Sequence, residues 1–169
     1  MPDRSLRNVT SPLWHCGCKV QGSAGDRVGR YTFLEDVALA DCAVEIEAKD
    51  PADLFETAAA ALAALMVDPG TMRLSVERTI TLTARELDLL LYDWLSELIY
   101  RKDRDREVFT RVAARVSGTG PFELTAQAHG GVIDPTVTAL GADPKAVTFH
   151  QFAVTSAEGV WRARVVIDI

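Results

Sequence analysis

Hydrophobic side chains recur at helical spacing in only two stretches of this chain; elsewhere in its patterned part they alternate. That contrast limits the fold more than any single motif does. Leu54, Phe55, Ala58, Ala59, Leu62, Leu65 and Met66 share one face of a 3.6-residue repeat, which predicts a helix over residues 51–67. Asp50-Pro51 offers an N-cap followed by proline at the first helical position, and Asp68-Pro69-Gly70 is a stop. Leu87, Leu90, Leu91, Trp94, Leu95, Leu98 and Ile99 predict a second helix. Thr83-Ala84-Arg85-Glu86 reads as its capping box, and the charged run Arg101 to Arg106 as its end. Period-two alternation predicts strands near 42–48, 72–82, 108–116, 122–129, 146–155 and 160–168, with Arg78 alone interrupting the buried parity of the second. Strand, helix, strand, helix and then a run of strands contains too few crossovers for a doubly wound parallel sheet. The expected class is α+β, a mainly antiparallel or mixed sheet with two amphipathic helices packed on one face.

Residues 1–29 have no periodicity and mix Gly, Ser, Asp, Arg and Pro, so they read as a flexible N-terminal extension ahead of one domain over 30–169. Charge divides the same way. The net charge is -6, yet residues 1–30 carry five basic side chains against Asp3 and Asp26. The remainder sets thirteen basic against twenty-two acidic residues, a balance of -9. Such a domain is poorly suited to gripping a phosphate backbone directly and suits a basic protein partner better. No apolar run approaches the roughly 18 residues of a membrane helix and no signal peptide is evident, so no membrane association and a cytoplasmic location are expected. Cys16 and Cys18, beside His15, and Cys42 lack the four-ligand spacing of a structural zinc site, and the three cysteines read as reduced thiols.

Motifs for nucleophilic catalysis are missing: no G-x-S-x-G elbow, Walker A loop or G-x-G-x-x-G turn follows a strand. His129 and His150 lie in strand-like segments and read as structural residues. Asp93 and Glu97, four apart on the second helix, read as its solvated face.

The acidic groups at 168–169 and at 35–41 are the exception. The last alternating run, Trp161 to Ile169, places the Asp168 carboxylate one residue before the terminal one, a cluster that repels itself unless a cation or a basic group neutralises it. Glu35, Asp36 and Asp41 gather acids near the start of the domain. First and last strands often neighbour in an antiparallel sheet, which would bring Asp41 to Asp168 and Ile169. An all-oxygen set of that kind suits Ca²⁺ or Mg²⁺ rather than zinc.

Five segments in order then resemble the archease family, small activators of the tRNA-splicing RNA ligase. They are Phe33-Leu34-Glu35 leading to Ala40-Asp41; Leu54-Phe55-Glu56 with Leu65-Met66-Val67; Leu90 through Ile99; Lys145-Ala146-Val147-Thr148-Phe149-His150; and Val165-Val166-Ile167-Asp168-Ile169. The resemblance implies a non-catalytic protein that promotes GTP-dependent guanylylation of the ligase and its multiple turnover. It implies a divalent metal, calcium first and Mg²⁺ or Mn²⁺ as alternatives, on Asp41, Asp168 and Ile169. Lys145 and His150 match a family segment and become candidate contacts to partner or nucleotide. The early acidic motif is longer than the family's usual form, which leaves open whether Asp36 joins Asp41. Outside the resemblance, two rival readings stand: a metal-dependent phosphoester hydrolase using Asp36, Asp41 and Asp168, and a chaperone-like binding module.

Overall fold

The computed structural model describes residues 29–34 and 41–169. Residues 1–28 of the expected extension, with His15, Cys16 and Cys18, lie outside the described residues, as does Asp36. Seven strands and two helices follow in the order β1 (Arg30–Leu34), β2 (Asp41–Ala48), α1 (Pro51–Met66), β3 (Val76–Ala84), α2 (Leu87–Asp105), β4 (Glu107–Ser117), β5 (Phe122–Val132), β6 (Ala146–Ala157) and β7 (Val160–Asp168). This is the α+β class that the two hydrophobic periods require. Every named strand pairing is antiparallel.

The strands divide into a four-stranded sheet, β1-β2-β7-β6, and a three-stranded sheet, β3-β5-β4. Both helices touch strands of both sheets. Their apolar stripes meet the inward faces of the strands, so that Leu54, Phe55 and Leu62 of α1, Leu90, Leu91 and Trp94 of α2, and Val44, Ile46, Leu124 and Ile167 of the sheets are all buried in one core. The Trp94 indole N–H donates to the Phe55 carbonyl of α1 at 3.1 Å, which satisfies the only polar atom of that ring where no water reaches. Glu56 of α1 accepts from the Ala114 amide at 2.8 Å, covering part of the open edge of β4.

Three local expectations need correction. Thr83 and Glu86 do not form a capping box: Thr83 is still in β3, and Glu86 is an N-cap without a side-chain bond. Side-chain capping occurs instead at α1, where the N-cap Asp50 accepts from the Asp53 amide at 2.8 Å and Asp53 accepts from the Lys49 amide, one residue before the cap, at 3.0 Å. Secondly, α2 continues through the charged run to Asp105, because Arg101 and Glu97 form an i,i+4 pair and Lys102 turns inward; Arg106 ends it in the left-handed conformation. Thirdly, the second predicted strand begins at Val76 rather than Met72, since a 3₁₀ turn at Pro69–Thr71 leads into an extended segment that buries Met72 and exposes Leu74. Arg78, which interrupts that strand's pattern, is the partner of the buried Glu107 carboxylate at 2.5 Å.

The connection from β5 to β6, residues 133–145, is tied to the C-terminal ends of the helices. The amides of Gly141 and Ala142 donate to the Met66 and Leu65 carbonyls of α1 at 2.7 and 2.8 Å, and so satisfy acceptors that a helix end leaves open. The approach is close enough that a Cβ at Gly141 would overlap the Leu65 carbonyl oxygen. Replacing Trp94 by Phe removes the indole bond and opens a void between α1 and α2. We expect a loss of about 2–4 kcal/mol in denaturant unfolding, with the denaturant slope unchanged.

Candidate metal and partner site at the end of β2 and β7

The register of β2 on β7 pairs Glu47 with Arg162, Glu45 with Arg164, Ala43 with Val166 and Asp41 with Asp168. Directly opposed residues of an antiparallel pair project to the same side, so these rungs share the face of the sheet opposite Cys42, Val44 and Ile46, with Ala43 and Val166 buried on it. Charge is complementary on its first two charged rungs. The Arg162 guanidinium lies 3.0 Å from Glu47, and Arg164 lies 3.5 Å from Glu45. Bonds from Arg162 and then Arg30 hold the Glu47 carboxyl below its usual range.

The final rung sets acid against acid. Asp41 and Asp168 face each other at the end of both strands, half-exposed, and among the described residues neither carboxylate has an ion pair or a side-chain hydrogen bond. Like charges directly opposite on a sheet are destabilising, so this rung calls for positive charge from outside the pair. Two carboxylates at an accessible strand end fit a hard divalent cation, which takes oxygen ligands and accepts water for the remainder of its shell. Among the described residues, no three side chains of His, Cys, Asp or Glu gather to hold a metal ion. The described protein therefore offers two carboxylates plus whatever Ile169 supplies.

The sequence-read candidates fall into two groups. Asp41, Asp168, Ile169 and Lys145 come together: the Lys145 amide donates to the Asp168 carbonyl at 2.8 Å, and Ala146 pairs with Asp168 across β6 and β7. The Lys145 ammonium pairs with Asp143 rather than with Asp168. His150 is not at this end. It lies in a wide bulge, where β6 advances from Thr148 to Ala153 while β7 moves only from Val166 to Arg164. At the rise of a strand, it stands on the order of 10 Å from the acidic rung. The bulge, with Gln151 in the left-handed region, lays Phe149 flat on Tyr92 of α2 at 4.1 Å between ring centroids and leaves His150 exposed. His129 is 4.0 Å from Glu77 on the three-stranded sheet, and Asp93 and Glu97 are on the surface of α2, remote in sequence and element from the acidic end.

Two residues of this neighbourhood escaped the pattern reading, Lys102 and Asp143. The Lys102 ammonium is buried, pairs with Asp143, lies 2.8 Å from Asp103 and donates to the Pro144 carbonyl at 2.8 Å. Burial pushes it down, but the bonds to Asp103 and Asp143 outweigh that and hold it above the ordinary lysine range. Lys102 and then Lys145 hold the Asp143 carboxyl below the usual carboxylate range. The available signal was position: Lys102 follows Leu98 by four residues on the apolar stripe.

Two antiparallel sheets, two core helices and a rung of two opposed acids at a strand end define an α+β class. A model of the archease protein family (MTH1598/TM1083) matches residues 31–169, and the chain belongs to that family. It is 34% identical to the protein archease of Methanosarcina barkeri over 142 residues, covering 83% of this chain and 96% of that one. The Methanosarcina mazei protein is 32% identical over the same shares. The solution structure of Methanobacterium thermoautotrophicum protein 1598 superposes with a TM-score of 0.68 at 30% identity, covering 82% of this chain and 98% of that one. A crystal structure of an archease from Thermotoga maritima, described as a possible chaperone, has the same fold at a TM-score of 0.56 and 22% identity, over 78% and 93% of the two chains. Among the described residues, no helix is long and apolar enough to cross a membrane.

Removing one acid of the final rung separates repulsion from metal binding. In chelator, we expect Asp168→Asn to unfold at a higher temperature than the native chain, by the equivalent of about 0.2–1 kcal/mol. Binding of calcium to this rung would reverse the order at millimolar calcium, because only the native chain would gain from the ion.

Proposed function

We propose that this chain is a non-catalytic activator of a GTP-dependent tRNA-splicing RNA ligase, acting in the cytoplasm with a divalent cation, calcium first, on Asp41, Asp168 and Ile169. The observation that carries the reading is the Asp41–Asp168 rung, where among the described residues two acids face each other with no opposite charge, in a chain of the archease family. Bound there, the cation supplies positive charge for phosphate oxygens or for carboxylates of the partner.

The chain's own residues have simpler tasks. Asp41 and Asp168 hold the charge at the strand end, and the β2–β7 register fixes their separation. Lys145, anchored by its amide to the Asp168 carbonyl and paired through its ammonium with Asp143, is a candidate contact for the ligase or its nucleotide. Asp36 belongs to the connection 35–40 and is a further candidate ligand. His150, exposed in the β6 bulge, is a second candidate contact on the same sheet. The negative domain suits a basic protein surface better than RNA, so strong direct RNA binding is not part of this reading.

The test is guanylylation of the ligase by GTP, with and without this protein. We expect faster loading and more turnovers, with no hydrolysis of phosphoesters by the protein alone. Hydrolysis without ligase would support a metal-dependent hydrolase instead. Client binding indifferent to Asp41 and Asp168 would support a chaperone-like module. Adding one glycine after Ile169 displaces the terminal carboxylate by about 3.5 Å. It should weaken metal binding and activation while leaving the unfolding midpoint in chelator unchanged.

A further inference from the structure

Lys145 is held in place by a charge that comes from inside the protein. Lys102 lies in the last turns of α2 with its side chain only 7% exposed, on the stripe that otherwise carries leucine and isoleucine. An apolar side chain would fill this position without the cost of taking an ammonium out of water, so the contacts that lysine makes there need a reason. One is its helix neighbour Asp103, and the others lie on one short segment. Its ammonium pairs with Asp143 and donates to the Pro144 carbonyl at 2.8 Å, and the Asp143 carboxylate in turn pairs with Lys145. The Lys145 amide then donates to the Asp168 carbonyl. One unbroken set of polar contacts therefore runs from the buried end of α2 to the acidic rung.

The preceding part of the connection is already fixed by Gly141 and Ala142 on the end of α1. Without Lys102, residues 143–145 would cross from that anchor to β6 with one exposed carboxylate pairing one exposed lysine, an arrangement worth little in water. The buried ammonium changes this, because it supplies two bonds at once from the end of a helix, one to the Asp143 carboxylate and one to the Pro144 carbonyl.

We propose that Lys102 is a positioning residue for the activator site: it fixes Asp143, and through it the orientation of the Lys145 side chain where residue 145 joins the end of β7. The proposal rests on the functional reading above for its consequence, but its local claim concerns the isolated chain. Lys102 itself touches neither cation nor partner; it acts through Lys145.

Two variants test it from opposite sides. Lys102→Met keeps the length and removes the charge. Asp143→Asn takes the charge out of the same contact at a side chain that is 64% exposed. In the isolated chain, hydrogen exchange at the Lys145 amide should be about tenfold faster in each variant, with amides of β2 and β7 upstream of the rung unchanged, and Asp143→Glu should restore protection. In ligase guanylylation, each variant should raise the half-saturating concentration of this protein about tenfold and leave the plateau rate intact. Added to Lys145→Ala, neither should have any further effect, because the path runs through Lys145. Unchanged Lys145 exchange in Asp143→Asn, or a full further penalty on the Lys145→Ala background, overturns the proposal. A native chain that stimulates no ligase overturns the functional reading instead, and the exchange data still decide the role of Lys102.

Discussion

The pairing of β2 with β7 is the constraint on which the rest of the molecule depends. It joins the first helix-bearing half of the chain to its last strand, and its inward residues, from Cys42 and Val44 to Val165 and Ile167, form part of the buried core. A shift of one residue would turn those side chains to solvent, so the register is set by burial rather than by the acids at its end. The outward face inherits that register. Glu47 and Glu45 then meet arginines, and Asp41 must meet Asp168, whatever the electrostatic cost of the last rung. Local repulsion is small beside the apolar area that fixes the strands, and the protein retains it.

The helices serve the same end from behind. Besides covering the sheets, α1 and α2 use their C-terminal ends to hold the long connection before β6. Leu65 and Met66 offer carbonyls, and Lys102 offers an ammonium. A thirteen-residue connection with no strand or helix of its own is thereby fixed at both helix ends, and Lys145 arrives at Asp168 in a defined place. Helix packing is in this way coupled to the geometry of a surface site, through hydrogen bonds that core substitutions in α1 or α2 would disturb at a distance.

Much of this was legible in the sequence because it depends on short-range periodicity. The apolar stripes of α1 and α2, the Asp50 cap and the alternation of β2 and β7 all announce themselves within a dozen residues. The meeting of Asp41 and Asp168 followed from one topological inference, that the early and final strands are neighbours. What escaped was decided by tertiary contacts. Lys102 looked like part of a charged turn because its burial depends on Asp143 and Pro144, some forty residues later. Thr83 matched a capping box but was claimed by pairing with Glu123 in β5, which extends β3 through it. The bulge that removes His150 from the acidic end has no spacing signature; it becomes visible only when Phe149 and Phe152 are seen against Tyr92.

The central claim is that the Asp41–Asp168 rung is neutralised by a divalent cation. The most direct measurement is calorimetric titration of the metal-stripped protein with calcium, beside the Asp168→Asn variant. The account predicts one ion bound per chain in the native protein and at least tenfold weaker binding in the variant. No binding of calcium, magnesium or manganese by the native protein, or equal affinity in the variant, would contradict it.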